Sequence, residues 1–145
     1  MRVAGVDLGQ RRIGVAVSDR AGMLASPWCT LERSGDDEAD RAAVVAAVLE
    51  AGAERVVVGL PVSLDGRHGH AARAARAEAA ALAELLDPHG IEVEMFDERF
   101  TTVIAERQLA AAGHRRRARR AVVDQAAATV LLQAWLDRYR TTADD

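Results

Sequence analysis

Residues 2–19 read RVAGVDLGQRRIGVAVSD, and this stretch decides the fold. Two short apolar runs, Val3–Val6 and Ile13–Val17, flank a polar turn punctuated by Asp7, Gly9 and Gly14. β-Branched residues in short runs favour strands, and Leu8–Arg12 is short enough to join them as an antiparallel hairpin. Asp7 is the odd member. A carboxylate at the end of an apolar strand costs free energy to desolvate unless a cation or a set of N–H groups offsets it. Gly9 leaves room for a ligand or another backbone to approach. From the hairpin alone, Asp7 is equally a turn aspartate at a corner.

Working outward, the chain has 145 residues, which suits a single domain over 1–140 with a frayed tail over 141–145. Half of it is apolar but only 3% is aromatic, so the core is expected to be aliphatic. No apolar run approaches the ~20 residues of a membrane span. The N-terminus runs straight into a strand and has no signal-peptide pattern. Cys29 is the only cysteine, so an internal disulfide is impossible. These features point to a reducing, cytoplasmic setting and to no membrane partner.

Charge is unevenly placed. Residues 99–120 hold seven arginines against one acid, a local +6 that leaves −9 on the rest of a chain whose net charge is −3. A basic face on an acidic protein suits a polyanion that docks at one place. All nineteen basic residues are arginine, a bias that a GC-rich genome also produces.

The remaining elements follow from periodicity. Leu24–Leu31 reads as a third strand, and Pro27 marks it as an edge. Ser34–Asp37 offers helix caps; Glu38–Ala51 is a helix with Val45, Val48 and Leu49 on one face, closed by Gly52. Val56–Val58, with Gly59 and Leu60, reads as a central parallel strand. Pro61–Gly69 is a loop that His68 and His70 accompany. Ala71–Leu86 is an alanine-rich helix with a stripe of Ala75, Ala79, Leu82 and Leu86, ended by Asp87–Pro88–His89–Gly90. Ile91–Phe96 alternates as a half-exposed strand. Thr102–Ala112 reads as a helix stopped by Gly113, His114–Arg120 as a basic connector, and Val122–Arg140 as the longest helix. This order predicts one mixed α/β sheet, three antiparallel strands followed by two parallel ones, flanked by helices. Ligands of such sheets gather at the carboxyl ends of the parallel strands.

Acids stand where structure alone would not ask for them. Asp7 ends the first strand. Asp97 and Glu98, in DERFTT, end the last. Asp124 shares a helical stripe with Ala127, Ala128, Leu131 and Trp135, although a first-turn acid also complements a helix dipole. Carboxylates converging from two strand ends and a helix start would repel one another and demand a cation. Oxygen ligands select Mg²⁺ or Mn²⁺, and one cysteine with four scattered histidines offers no zinc spacing.

Four motifs, GVDLGQRRIGVAVSD, VVVGLPVSLDG, DERFTT and VVDQAAATVLLQAWL, occur in the order and spacing of the YqgF/RuvX family, which the chain resembles over nearly its whole length. The family is described as pre-16S rRNA nucleases and as Holliday junction resolvases, with an RNase H-like fold related to RuvC. The resemblance implies that Asp7, Glu98 and Asp124 form the catalytic, metal-binding set. It implies a metal-dependent nuclease acting on structured RNA or branched DNA. Two positions depart from the pattern: Gln10 stands where members often have threonine, and Val122 where many have lysine, a role open to Arg119 or Arg120.

Other candidates for nucleic-acid contact follow from placement. Arg11 and Arg12 sit on the hairpin turn beside Asp7. Arg99 adjoins Glu98. Thr101 and Thr102 are cap candidates for the next helix. Arg115, Arg116, Arg117, Arg119 and Arg120 lie just before Asp124, where a charge run serves phosphates as readily as solvent. Two rival readings remain open. A DxG hairpin also opens the actin, Hsp70 and sugar-kinase group, although those proteins need two such domains. YqgF-like modules also occur as non-catalytic nucleic-acid binders within some transcription factors. The oligomeric state is open, a homodimer included.

Overall fold

The computed structural model describes residues 1–60, 69–97 and 127–140. Most of the expected loop over 61–69, the expected helix Thr102–Ala112, the basic connector and the tail lie outside the described residues. The opening hairpin forms as expected: β1 spans Val3–Leu8 and β2 spans Arg12–Ser18, antiparallel, with Val6 opposite Val15 and Asp7 opposite Gly14. The turn is shorter than the sequence suggests, because Leu8 pairs with Ile13 and Arg12 joins β2 by pairing with Glu32 on its other side.

β3, Ala25–Glu32, pairs antiparallel with β2 and is an edge. Its register slips so that Val15 faces Cys29 while Ala16 faces Pro27, leaving Trp28 as the extra residue of a bulge. Proline has no N–H to give a neighbouring strand, and a bulge on an edge accommodates that.

α1 spans Asp37–Glu50. The Asp36 carboxylate caps it by accepting the N–H groups of Glu38 and Ala39, and Gly52, at φ 70°, follows its end in the left-handed region. Its buried face is Asp40, Val44, Ala47 and Val48; Leu49 is 40% exposed, so the expected Val45–Val48–Leu49 face is rotated. Asp40 explains the difference. Its carboxylate accepts the Ser34 hydroxyl at 2.7 Å and the Ser34 N–H at 3.0 Å, which turns an acidic position inward and conceals the true face from a hydrophobic pattern.

β4, Arg55–Leu60, and β5, Glu92–Asp97, add to β1 in parallel, giving the order β3-β2-β1-β4-β5. α2, His70–Leu86, lies between them in sequence and buries Ala72, Ala75, Ala79, Leu82 and Leu86. A 3₁₀ turn over Asp87–His89 leads into β5. Arg41 of α1 meets Glu78 of α2 at 3.1 Å and joins the two helices on one side of the sheet.

The sheet separates two cores. Ala4, Val6, Val15, Val56 and Val58 pack with Val44 and Val48 of α1 and Leu82 and Leu86 of α2. Val3, Ala16 and Val57 face the other way, against Ala128, Leu132, Trp135 and Leu136 of a helix over 127–140. Gly5 makes that second contact possible: a Cβ there would stand 2.8 Å from the Leu132 Cβ and 3.2 Å from the Ala128 carbonyl oxygen. Among the described residues, no helix is long and apolar enough to cross a membrane.

Candidate active site at the strand ends

β1 is where the sheet changes character, antiparallel to β2 on one side and parallel to β4 on the other. Asp7 sits near its carboxyl end, half-buried, and its carboxylate has no hydrogen-bond or ion-pair partner among the described residues. By strand alternation it shares a face with Val3 and Gly5, the face covered by helix 127–140. That helix runs antiparallel to β1. Ala128, early in its described part, lies over Gly5, while Trp135 further along lies by Arg55, the residue paired with Val3. The N-terminal side of its described part therefore lies toward the Asp7 end of the strand.

β5 continues through Asp97, one residue beyond the expected end, with Asp97 opposite Leu60. Alternation therefore holds there. Met95 packs with the α1–α2 core and Phe96 with the core under helix 127–140, so Asp97 falls on the α1–α2 side, opposite to the Asp7 face.

A cavity of about 640 Å³ opens beside the hairpin turn and the first turns of α1 and α2. Asp7 forms one margin; Gln10, Arg33, Asp37, His70 and Glu78 line the rest. A second hollow of about 610 Å³ continues past the turn along Arg11, Glu32 and Gly35, and Gln10, Arg33 and Asp37 border both. Arg11 is exposed at the tip of the turn. Arg12 meets Glu32 across β2 and β3 at 2.7 Å, so its charge is already shared with a carboxylate. Arg33, which sequence inspection passed over, donates its Nε–H to the Gly9 carbonyl at 2.6 Å. The only hint in the sequence is its place at the end of β3, next to the hairpin turn in the sheet.

Near this cleft, the Asp40 carboxyl is held below the usual carboxylate range, first by the Ser34 hydroxyl and next by the Ser34 N–H, against an opposing effect of burial and with some help from the Arg33 charge. Glu98, Arg99, Asp124, Arg115, Arg116, Arg117, Arg119 and Arg120 lie outside the described residues. Asp7 is thus the one member of the expected carboxylate trio within them, and among the described residues no three acidic, imidazole or thiol groups cluster as a metal site would.

Comparison with known proteins agrees with this architecture. The family described as "RuvX: Holliday junction resolvase" matches residues 1–138. A Thermobifida fusca protein is 54% identical over 94% of this chain and 87% of its own length. A Myxococcus xanthus protein is 44% identical over 100% of this chain and 93% of its own. Both carry the name "Putative pre-16S rRNA nuclease". Among solved structures, Thermus thermophilus RuvC in complex with a Holliday junction substrate superposes with a TM-score of 0.59 at 16% identity, covering 97% of each chain. The yeast mitochondrial Holliday junction resolvase Ydc2 gives 0.53 at 9% identity, over 98% of this chain and 82% of that one. These two likenesses show the fold, a RuvC-like, RNase H-type mixed sheet as the sequence led us to expect. With its first 138 residues matched by the family and relatives aligned along most of both chains, this protein belongs to the RuvX family.

Proposed function

We propose that this chain is a nuclease that hydrolyses phosphodiester bonds in structured nucleic acid, with Asp7, Glu98 and Asp124 holding Mg²⁺ or Mn²⁺. The observation that carries this reading is the half-buried Asp7 carboxylate, without a partner among the described residues, at the strand where the sheet changes from antiparallel to parallel. A half-buried anion without a donor or a cation beside it is well suited to take a positive partner from outside. A carboxylate oxygen suits a hard divalent ion. Bound there, such an ion supplies the charge that activates an attacking water and stabilises the leaving oxygen.

Two placements support the companions. Glu98 follows directly on Asp97, the last residue of β5, which pairs with Leu60 at the carboxyl end of β4. Asp124 precedes residue 127 by three positions, and the described helix over 127–140 has its N-terminal side toward the Asp7 end of β1. In this reading the three carboxylates orient the ion and the attacking water, while Arg11, Arg99 and the run Arg115, Arg116, Arg117, Arg119 and Arg120 hold flanking phosphates. Arg12 contributes less, because Glu32 already meets it. The substrate is structured RNA or branched DNA, and the name and title of the relatives point to a pre-16S rRNA 5′ leader or a four-way junction. We place the reaction in the cytoplasm, where ribosomal RNA precursors are processed in bacteria.

Cleavage of a pre-rRNA leader and of a four-way DNA junction, assayed side by side with Mg²⁺ and with excess chelator, tests this. We expect cleavage of at least one substrate with Mg²⁺ and none with chelator. Full activity in chelator would overturn the metal-dependent reading.

A further inference from the structure

The two hollows beside the hairpin meet at Arg33, and we propose that Arg33 is a phosphate-binding residue that grips the substrate backbone next to the scissile position. This rests on the nuclease reading. It goes beyond it in assigning a subsite on the α1–α2 side of the turn, away from the basic run.

The side chain is built for such a role. Arginine carries five N–H donors in a planar fork. One of them, Nε–H, is committed to the Gly9 carbonyl at 2.6 Å, and the Arg33 backbone N–H holds the Arg11 carbonyl at 2.9 Å. These two bonds tie β3 to the turn and fix the plane of the guanidinium. A carbonyl satisfies a donor without neutralising the charge. The terminal nitrogens have no hydrogen-bond partner among the described residues, and no carboxylate there lies within ion-pair distance of Arg33. Three other arginines contrast with it: Arg12 is paired with Glu32, Arg41 with Glu78, and Arg55 with Glu92 and Glu94. Arg33 thus keeps a pre-oriented cation where two hollows meet, one of which Asp7 also borders. Gly9, its anchor, is two residues from Asp7, so one turn fixes both the candidate ligand and the candidate phosphate clamp.

Asp37 borders both hollows, and Asp40 feels the charge of Arg33. These acids oppose an anion at long range, so a phosphate held there needs direct contact with the guanidinium fork. A contact with the backbone and not with a base or sugar acts alike on RNA and DNA.

The test compares Arg33→Gln with its parent in an Asp7→Asn background, so that binding is read without cleavage. The probes are a fluorescent four-way DNA junction and a structured RNA leader. We expect roughly tenfold weaker binding near 0.1 M salt, as for loss of a charge-assisted hydrogen bond. The slope of log affinity against log salt should shrink by about 0.9 on the duplex arms of the junction, or about 0.7 on a single strand. A residue that only braced the turn would lower the melting temperature and leave the slope alone, and that result overturns the inference. An unchanged slope also leaves the nuclease reading intact if Asp7→Asn is itself inactive. Absence of binding by the parent to both probes overturns both. Should Arg33→Gln fail to fold, phenylglyoxal labelling of the unaltered chain decides. Protection of Arg33 by the junction supports the assignment, and equal labelling with and without it refutes it.

Discussion

The two ends of this sheet treat charge in opposite ways. At the end where β4 starts, Arg55 is matched on several sides. Arg55 reaches Glu92 at 3.1 Å and Glu94 at 3.6 Å, and lies 5.8 Å and 5.9 Å from the ring centres of Trp135 and Tyr139. Those rings stack at 4.9 Å, and the Trp135 indole N–H is donated to Glu94. At the other end, Asp7 has no partner among the described residues and Arg33 holds only a carbonyl. The first end is closed electrostatically and serves stability. The second leaves Asp7, on the face of helix 127–140, and Arg33, on the α1–α2 side of the turn, as charges that a metal ion and a phosphate would complete under the proposed reading.

The largest expected effect comes from breaking the open end. Asp7→Asn should lower the cleavage rate by about three orders of magnitude or more, since the loss of a metal ligand removes several kcal/mol of transition-state stabilisation. The melting temperature should hold, because no partner among the described residues is lost. Glu98→Gln should behave likewise. Asp97→Asn, on the opposite face, should mainly lower stability and keep part of the activity. If Asp97→Asn is folded and inactive while Glu98→Gln cleaves normally, the two assignments exchange places.

Gly5→Ala asks whether the open end depends on the helix that covers it. The added methyl meets Leu132 and the Ala128 carbonyl, so helix 127–140 must shift. Overpacking of this kind costs about 1–3 kcal/mol, read as a lower midpoint in denaturant. Activity should fall as well, because the same helix has its N-terminal side toward Asp7. A variant as stable and active as the parent would show that the close approach is not needed.

At the closed end, Arg55→Gln should cost about 1 kcal/mol through lost ion pairs and cation–π contacts, with the cleavage rate unchanged. A strong loss of activity there would end the division between the two ends.

The smallest effect concerns acid. Because the folded protein holds the Asp40 carboxyl below its ordinary value of 3.8, its contribution is fully present above that pH and disappears as pH falls through the depressed value. Asp40→Asn should therefore narrow the stability difference between neutral solution and pH below about 3.8. Melting curves across that range check it, and identical acid limbs in variant and parent would remove Asp40 from the account.

Much of this was legible in the chain itself, for local reasons. Strands β1, β2 and β4 are short runs rich in valine and isoleucine, and α2 carries a stripe at helical spacing, so their identity needs no distant partner. Pro27 marks an edge because it cannot donate in a ladder. Even the single unexplained acid of the hairpin, Asp7, stands out by its cost in an apolar strand. The rotation of α1 was not legible. Its buried face contains Asp40, and only the bond to Ser34 makes an acid tolerable there.

What the sequence determined by itself was element type, order, and the position of Asp7 at a strand end, since these depend on backbone geometry and on periods of two and 3.6 residues. Tertiary structure alone decided which charges remain available. Arg12 and Arg33 look alike in the chain, yet one finds Glu32 twenty positions away and the other finds Gly9 at a separation of 24. The Gly5–Leu132 contact joins residues from the two ends of the described chain. Such pairings depend on where strands and helices come to lie against one another, and no local pattern encodes that distance.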